Sequence, residues 1–236
     1  MLKIFRTARK NMMKKNKTTA YFFYAIGEII LVMIGILLAL QVNNWNENKQ
    51  IKESLNSYVI QLNEEIKANI QILNEVIEGE TENSKDIDTI LDIFKQQDFD
   101  NPKLLAKSGS LLSFEEFHPV TTTFENLKSS GDLKLIKDVK LRNSIFHAYN
   151  SFKKIKLVQD LHYYNMKTRA VDYFFENSKF SDIRESKPNF AKDVMFENIT
   201  LSSASTISQI IDACKKSLAQ MEELEEKLST YQLEQL

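Results

Sequence analysis

Residues 20–42, AYFFYAIGEIILVMIGILLALQV, constrain this chain more than any other stretch. They are 23 residues with one ionisable side chain, Glu28. At about 1.5 Å per residue a helix of this length reaches roughly 34 Å, enough to cross a hydrocarbon core of about 30 Å. A cleaved signal peptide has a shorter apolar region and a small-x-small cleavage site, and Ala39-Leu40-Gln41 is a poor one. A buried core helix is the other alternative, but 23 residues with no polar face is too long a run for one. The run therefore predicts a transmembrane helix. Tyr21 and Tyr24 at one end and Trp45, the only tryptophan, past the other are the membrane-interface residues, since amphipathic rings prefer the headgroup level.

Charge sets the expected topology. The overall formal charge is −1, but it is segregated: +7 in residues 1–19 and −7 in residues 43–236. Positive charge stays on the cytoplasmic side. The chain thus divides into a basic cytoplasmic arm (1–19), a transmembrane helix (20–42) and an extracytoplasmic helical domain (43–236). Leu2, Ile4, Phe5, Met12 and Met13 among the basic residues would let the arm lie on an anionic leaflet. The lipid bilayer is the first expected partner, and an acidic outer domain argues against nucleic acid. The later sequence has no second run of 18 apolar residues, so the chain is not by itself a channel or carrier.

Within the span, Glu28 is costly in hydrocarbon, and such groups usually face protein or water. At 100° per residue Gly35 and Ala39 each fall within about 20° of Glu28 on the helical wheel. Gly35 and Ala39 form a small-xxx-small pair that permits close helix approach. Glu28, Gly35 and Ala39 are therefore the expected transmembrane helix contact, made with a second copy of the chain or with another membrane protein. The competing reading has Glu28 snorkelling to the near headgroups without a partner.

The outer domain reads as all-α. Five Gly and three Pro in 236 residues compare with about 28 for an average chain of this length, so tight turns are few. Ile51, Leu55, Tyr58, Leu62, Ile66, Ile70, Leu73 and Ile77 recur about every 3.7 residues, a helical period nearer an 11-residue repeat than a heptad. Ile87, Leu91 and Phe94 extend it, predicting a helix from about 46 to 97, with Gly79 a candidate kink and the Asn-rich stretch 43–48 a candidate bend. Residues 98–121 are a connection with one or two short helices. Thr122-x-x-Glu125 has the spacing of a capping box for a short helix ending at Gly131. Asp138 is a candidate N-cap for a helix to about Glu176, on which Leu141, Ile145, Ala148, Phe152, Ile155, Leu161, Val171 and Phe174 form the stripe. Ser178–Asn189 is the second connection. The last helix, to about residue 234, carries Leu201, Ile207, Ile211, Cys214, Leu218, Met221, Leu224, Leu228 and Tyr231. The expected fold is an N-terminal transmembrane helix followed by an antiparallel bundle of long helices with short connecting helices.

No catalytic constellation emerges. The five glycines are singletons, so no phosphate loop exists, and neither GxSxG nor HExxH occurs. Glu115-x-x-His118 has di-iron spacing without the further ligands such a site needs. Asp160, His162 and Glu116 are the only candidates for proton transfer, and no nucleophile accompanies them. One cysteine, Cys214, allows no internal disulfide and sits on an apolar stripe. Asn198-Ile199-Thr200 matches a glycosylation acceptor, a pattern frequent by chance. The chain is read as no enzyme, with no catalytic, cofactor-binding or metal residues.

Two blocks carry a resemblance: YAIGEIILVMIGILLALQVNNWNE (24–47) and TFENLKSSGDLKLIKDVKLRNSIFHAYN (123–150). Both are similar to an uncharacterised family of small single-span membrane proteins from flavobacteria and relatives, a domain of unknown function. The resemblance implies a bacterial inner (cytoplasmic) membrane location, a cytoplasmic N-terminus and a periplasmic helical domain; it brings no catalytic or ligand residues. The function expected from residues and resemblance together is a membrane-anchored helical interaction or scaffolding protein. The alternative is a periplasmic sensory or ligand-binding bundle signalling through its span to a separate partner.

Overall fold

The computed structural model describes residues 17–179 and 192–235. Most of the basic arm, and all but the first two residues of the Ser178–Asn189 connection, lie outside them. Among the described residues the fold is all-α, without strands. The helices are α1 (Lys17–Gln96), α2 (Pro102–Lys107), α3 (Thr122–Ser130), α4 (Val139–Asn165), α5 (Val171–Asn177) and α6 (Val194–Gln235). Helical turns of 3-10 type at Ser108–Leu112 and Asp132–Leu135 and a π-helical turn at Met166–Ala170 complete the order. The chain divides into two compact units, Met1–Leu55 and Asn56–Leu236.

In the first unit α1 carries the long apolar run. Nearly every side chain from Phe22 to Gln50 is exposed, and only Tyr24 and Ala25 are intermediate. Helix α1 is uninterrupted both at 43–48, the candidate bend, and at Gly79, the candidate kink.

In the second unit α1 buries Val59, Leu62, Ile66, Leu73, Val76, Ile87 and Ile90, a face rotated slightly from the expected stripe. Helices α4 and α6 pack against each other. Ile87, Ile90, Leu104, Leu111, Tyr173, Phe174 and Phe196 lie in one core cluster, in which Phe196 meets Phe94 and Phe174 edge-on and stacks on Tyr173. Removing such apolar surface from water, at about 25 cal/mol per Å², is the main force holding the helices together.

Two stripe assignments shift. Leu161 on α4 and Leu201 on α6 are both 49% exposed, while Val158, Gln159 and His162 take the buried positions on α4. The chain then widens into the π turn before Ala170, Tyr173 and Phe174 return to the core. A π turn adds a residue to the helix and so rotates the side chains on its C-terminal side. Several ends behave as their residues predict. Asp138 accepts from the Lys140 and Leu141 amides, and Gly131 ends α3 at φ 78°, in the left-handed region. The capping box at Thr122 does not form: α3 begins at Thr122 itself, and the acceptor for its first amides is Glu65 of α1.

Candidate functional site: an extended strap and the groove beside it

Residues 113–121 form a strap with no helix or strand, between the 3-10 turn after α2 and the start of α3, and Ser113 at its head is extended. A segment outside helix and sheet leaves its N–H and C=O groups without regular partners, and burying them unpaired is costly. Here side chains replace those partners. Asn69 pairs with Val120 twice, donating to its carbonyl (2.7 Å) and accepting from its amide (2.8 Å). Gln159 donates to the Glu115 carbonyl (2.8 Å) and accepts from the Phe117 amide (3.2 Å). Glu80 accepts from the Glu115 amide at 2.6 Å. Glu65 accepts from the amides of Thr123 (2.6 Å) and Phe124 (3.2 Å), and so supplies the N-terminal cap of α3 from α1.

These anchors lie inside the protein: Glu65, Asn69, Glu80 and Gln159 are all buried. Tyr149 donates its hydroxyl to Glu65 at 2.6 Å, and its ring stacks on Phe124 at 4.2 Å. Burial, then the bond to Glu65, holds the Tyr149 hydroxyl well above the usual phenol range. Burial likewise raises the Glu80 carboxyl, with the Glu115 amide opposing. Gly79 lets the strap come close, because a Cβ there would meet the Glu115 side chain at its Cγ.

Outside the strap, against α4, lies a groove of about 640 Å³. Phe117 and Phe152, in edge contact at 5.0 Å, line it together with Phe114 and Tyr163. Its ionisable residues are Lys153, Lys156 and Asp160 from α4, and Glu116 with His118 from the strap. Lys156 pairs with Asp160 at 3.0 Å, and His118 Nε2 stands 3.3 Å from Glu116.

The candidate acid-base residues each have a separate partner, although Asp160 and Glu116 line the same groove. His162 is buried, its Nδ1 2.6 Å from the Thr206 hydroxyl, which itself donates to the Ser202 and Ser203 carbonyls. Burial lowers its pKa to about 4. Its Nε2 has no hydrogen-bond partner, and the Phe114 ring meets it edge-on at 5.4 Å. Asp160 is held by Lys156 instead, and Glu116 by His118. Among the described residues no group of three His, Cys, Asp or Glu is placed to hold a metal ion. Cys214 is fully buried and its thiol is pushed up to about 12 by burial, then by the Glu80 charge, which suits a core residue. Asn198 is exposed on α6, but Thr200 of the same motif is buried and bonded to the Phe196 carbonyl.

Glu28, Gly35 and Ala39 are all exposed, and a Cβ on Gly35 would meet nothing within 4 Å. Tyr24 is half-buried, Trp45 is 69% exposed, and the Tyr21 side chain lies outside those described. The strap anchors escape an argument from periodicity because an apolar stripe treats Glu65, Asn69 and Glu80 as solvent-facing. Their spacing from Leu62, Ile66, Leu73 and Val76 is the one signal the sequence holds for them.

The family model for a family of unknown function, DUF6090, matches residues 28–208. The chain belongs to that family. The match runs from Glu28 through the strap and the groove into α6. No curated protein and no solved structure matches the chain.

Proposed function

We propose that this DUF6090 chain is a membrane-anchored helical interaction or scaffolding protein of the bacterial envelope. It crosses the inner membrane once, with a cytoplasmic N-terminus and a periplasmic helical unit whose long helices form an antiparallel bundle. The observation that carries this reading is the exposed apolar surface of α1: from Ile26 to Val42 every side chain is exposed, and Leu37 and Leu38 are about 60% exposed. So large an apolar surface calls for lipid or a partner to cover it. Seven basic residues before it and none of the opposite charge support the orientation. Glu28, with Gly35 and Ala39 on the same face, supports a helix contact with a second copy or another membrane protein.

The reading is non-enzymatic because the one close histidine–hydroxyl pair among the described residues, His162 with Thr206, is sealed from solvent and has no acid to orient it. Crosslinking in native membranes, followed by mass spectrometry, tests the proposal. The wild-type chain gives a defined crosslinked species that Glu28→Leu and Gly35→Leu each weaken. A pattern untouched by both substitutions would place the contact elsewhere.

The groove favours a second reading, a ligand-binding bundle that signals to a separate partner. Its volume falls within the range of about 300–1,000 Å³ common to small-molecule sites. Thermal stabilisation of the full chain by members of a ligand screen is its test.

A further inference from the structure

The groove beside the strap has a specific charge arrangement. Its open aromatic surface is Tyr163 and half-buried Phe114, over buried Phe117 and Phe152, and suits an apolar body. Lys156 is already matched by Asp160, at 3.0 Å. Lys153, on α4, has no carboxylate partner among the described residues. On the strap Glu116 touches the His118 imidazole at 3.3 Å, and both side chains are exposed. An unmatched ammonium on the helix and an accessible carboxylate on the strap thus accompany one aromatic surface.

We propose that this groove binds a zwitterion with a large apolar side chain, a free amino acid or a short peptide. Its carboxylate would lie at Lys153, its ammonium at Glu116, and its side chain against Phe114 and Tyr163. The proposal rests on the ligand-binding reading and names the ligand class for it. A simple cation would leave Lys153 unmatched, and a simple anion would leave Glu116 with only the His118 imidazole at 3.3 Å; a ligand with both charges answers both groups. The aromatic rings add attraction for the ammonium. From Phe152 to Tyr163 the helix rises about 16 Å, room for about four residues of extended peptide. The strap wall is held by Gln159 and Glu80 bonding its backbone at Glu115 and Phe117, so this side of the groove is preformed.

The test uses the full chain in detergent micelles, titrated calorimetrically with phenylalanine, with tri-leucine, and with each compound N-acetylated or C-amidated. At least one uncapped compound binds, and either cap weakens it about tenfold or more. Lys153→Gln removes the sensitivity to amidation and Glu116→Gln the sensitivity to acetylation; both side chains are exposed, so the fold stays intact. Binding by phenylalanine alone or tri-leucine alone decides between amino acid and peptide. If capped and uncapped forms bind alike, or if 3-phenylpropionate binds as well as phenylalanine, the zwitterion assignment is overturned while the ligand-binding reading stands. If neither these compounds nor a broad fragment screen shifts the melting temperature, both fail.

Discussion

Replacing Tyr149 by Phe removes one hydroxyl and leaves the ring stacked on Phe124, at 4.2 Å and 8° between planes. The hydroxyl donates to buried Glu65 at 2.6 Å, the same carboxylate that accepts the Thr123 and Phe124 amides. A hydrogen bond to a charged group contributes about 1.5–3 kcal/mol net, so Tyr149→Phe should cost about 2 kcal/mol. Glu65→Gln should cost more, about 3 kcal/mol. An amide keeps one acceptor oxygen and turns an NH₂ toward a donor, leaving an N–H or the hydroxyl unpaired. The double variant should cost less than the two single costs added, with a coupling of about 1 kcal/mol or more, because both act on one bond. Urea unfolding of the full chain in micelles, followed by far-ultraviolet circular dichroism, gives the three values. Amide exchange at Thr123 and Phe124 should accelerate in each variant. A Tyr149→Phe cost within about 0.5 kcal/mol of zero, with unchanged exchange, would show that the Tyr149 hydroxyl does not support the Glu65 cap of α3.

The second unit carries two more predictions. His162 is buried neutral with its pKa at about 4, so below its unfolded value near 6.5 the unfolded chain takes up a proton that the folded chain refuses. Stability should fall by about 3 kcal/mol as pH drops from about 6.5 to 4, and His162→Phe should flatten that slope in pH-dependent urea titrations. Gly79→Leu should push the Glu115 side chain off α1 and loosen the strap, with loss of about 1–3 kcal/mol and faster amide exchange at Glu115, even though leucine is the better helix former.

The helices are legible where one local signal decides the outcome. Asp138 and Gly131 each act on the backbone within a few residues, so their roles can be read off in order. The Thr-x-x-Glu pattern before α3 fails because a better acceptor, Glu65, reaches the same amides from a residue 58 positions away. The stripe on α4 departs from expectation at Leu161 because Gln159 and His162, polar by type, take buried places, and a π turn then changes the phase. No periodicity argument places a glutamine inward unless the backbone groups it will satisfy are already known.

The sequence alone determined the all-α character of the chain, the long apolar N-terminal helix with its single carboxylate, and the absence of familiar catalytic motifs. Those are properties of composition and of spacing within one turn or one span, where each residue acts on near neighbours. Tertiary structure alone decided that residues 113–121 form a strap held by Asn69, Glu80 and Gln159, and that Glu65 caps the helix after it. It also brought Glu116 and Lys153 to one groove. The reason is that a backbone outside helix and sheet must find its hydrogen bonds wherever the fold brings donors and acceptors, and here they come from residues 35 to 51 positions away in sequence.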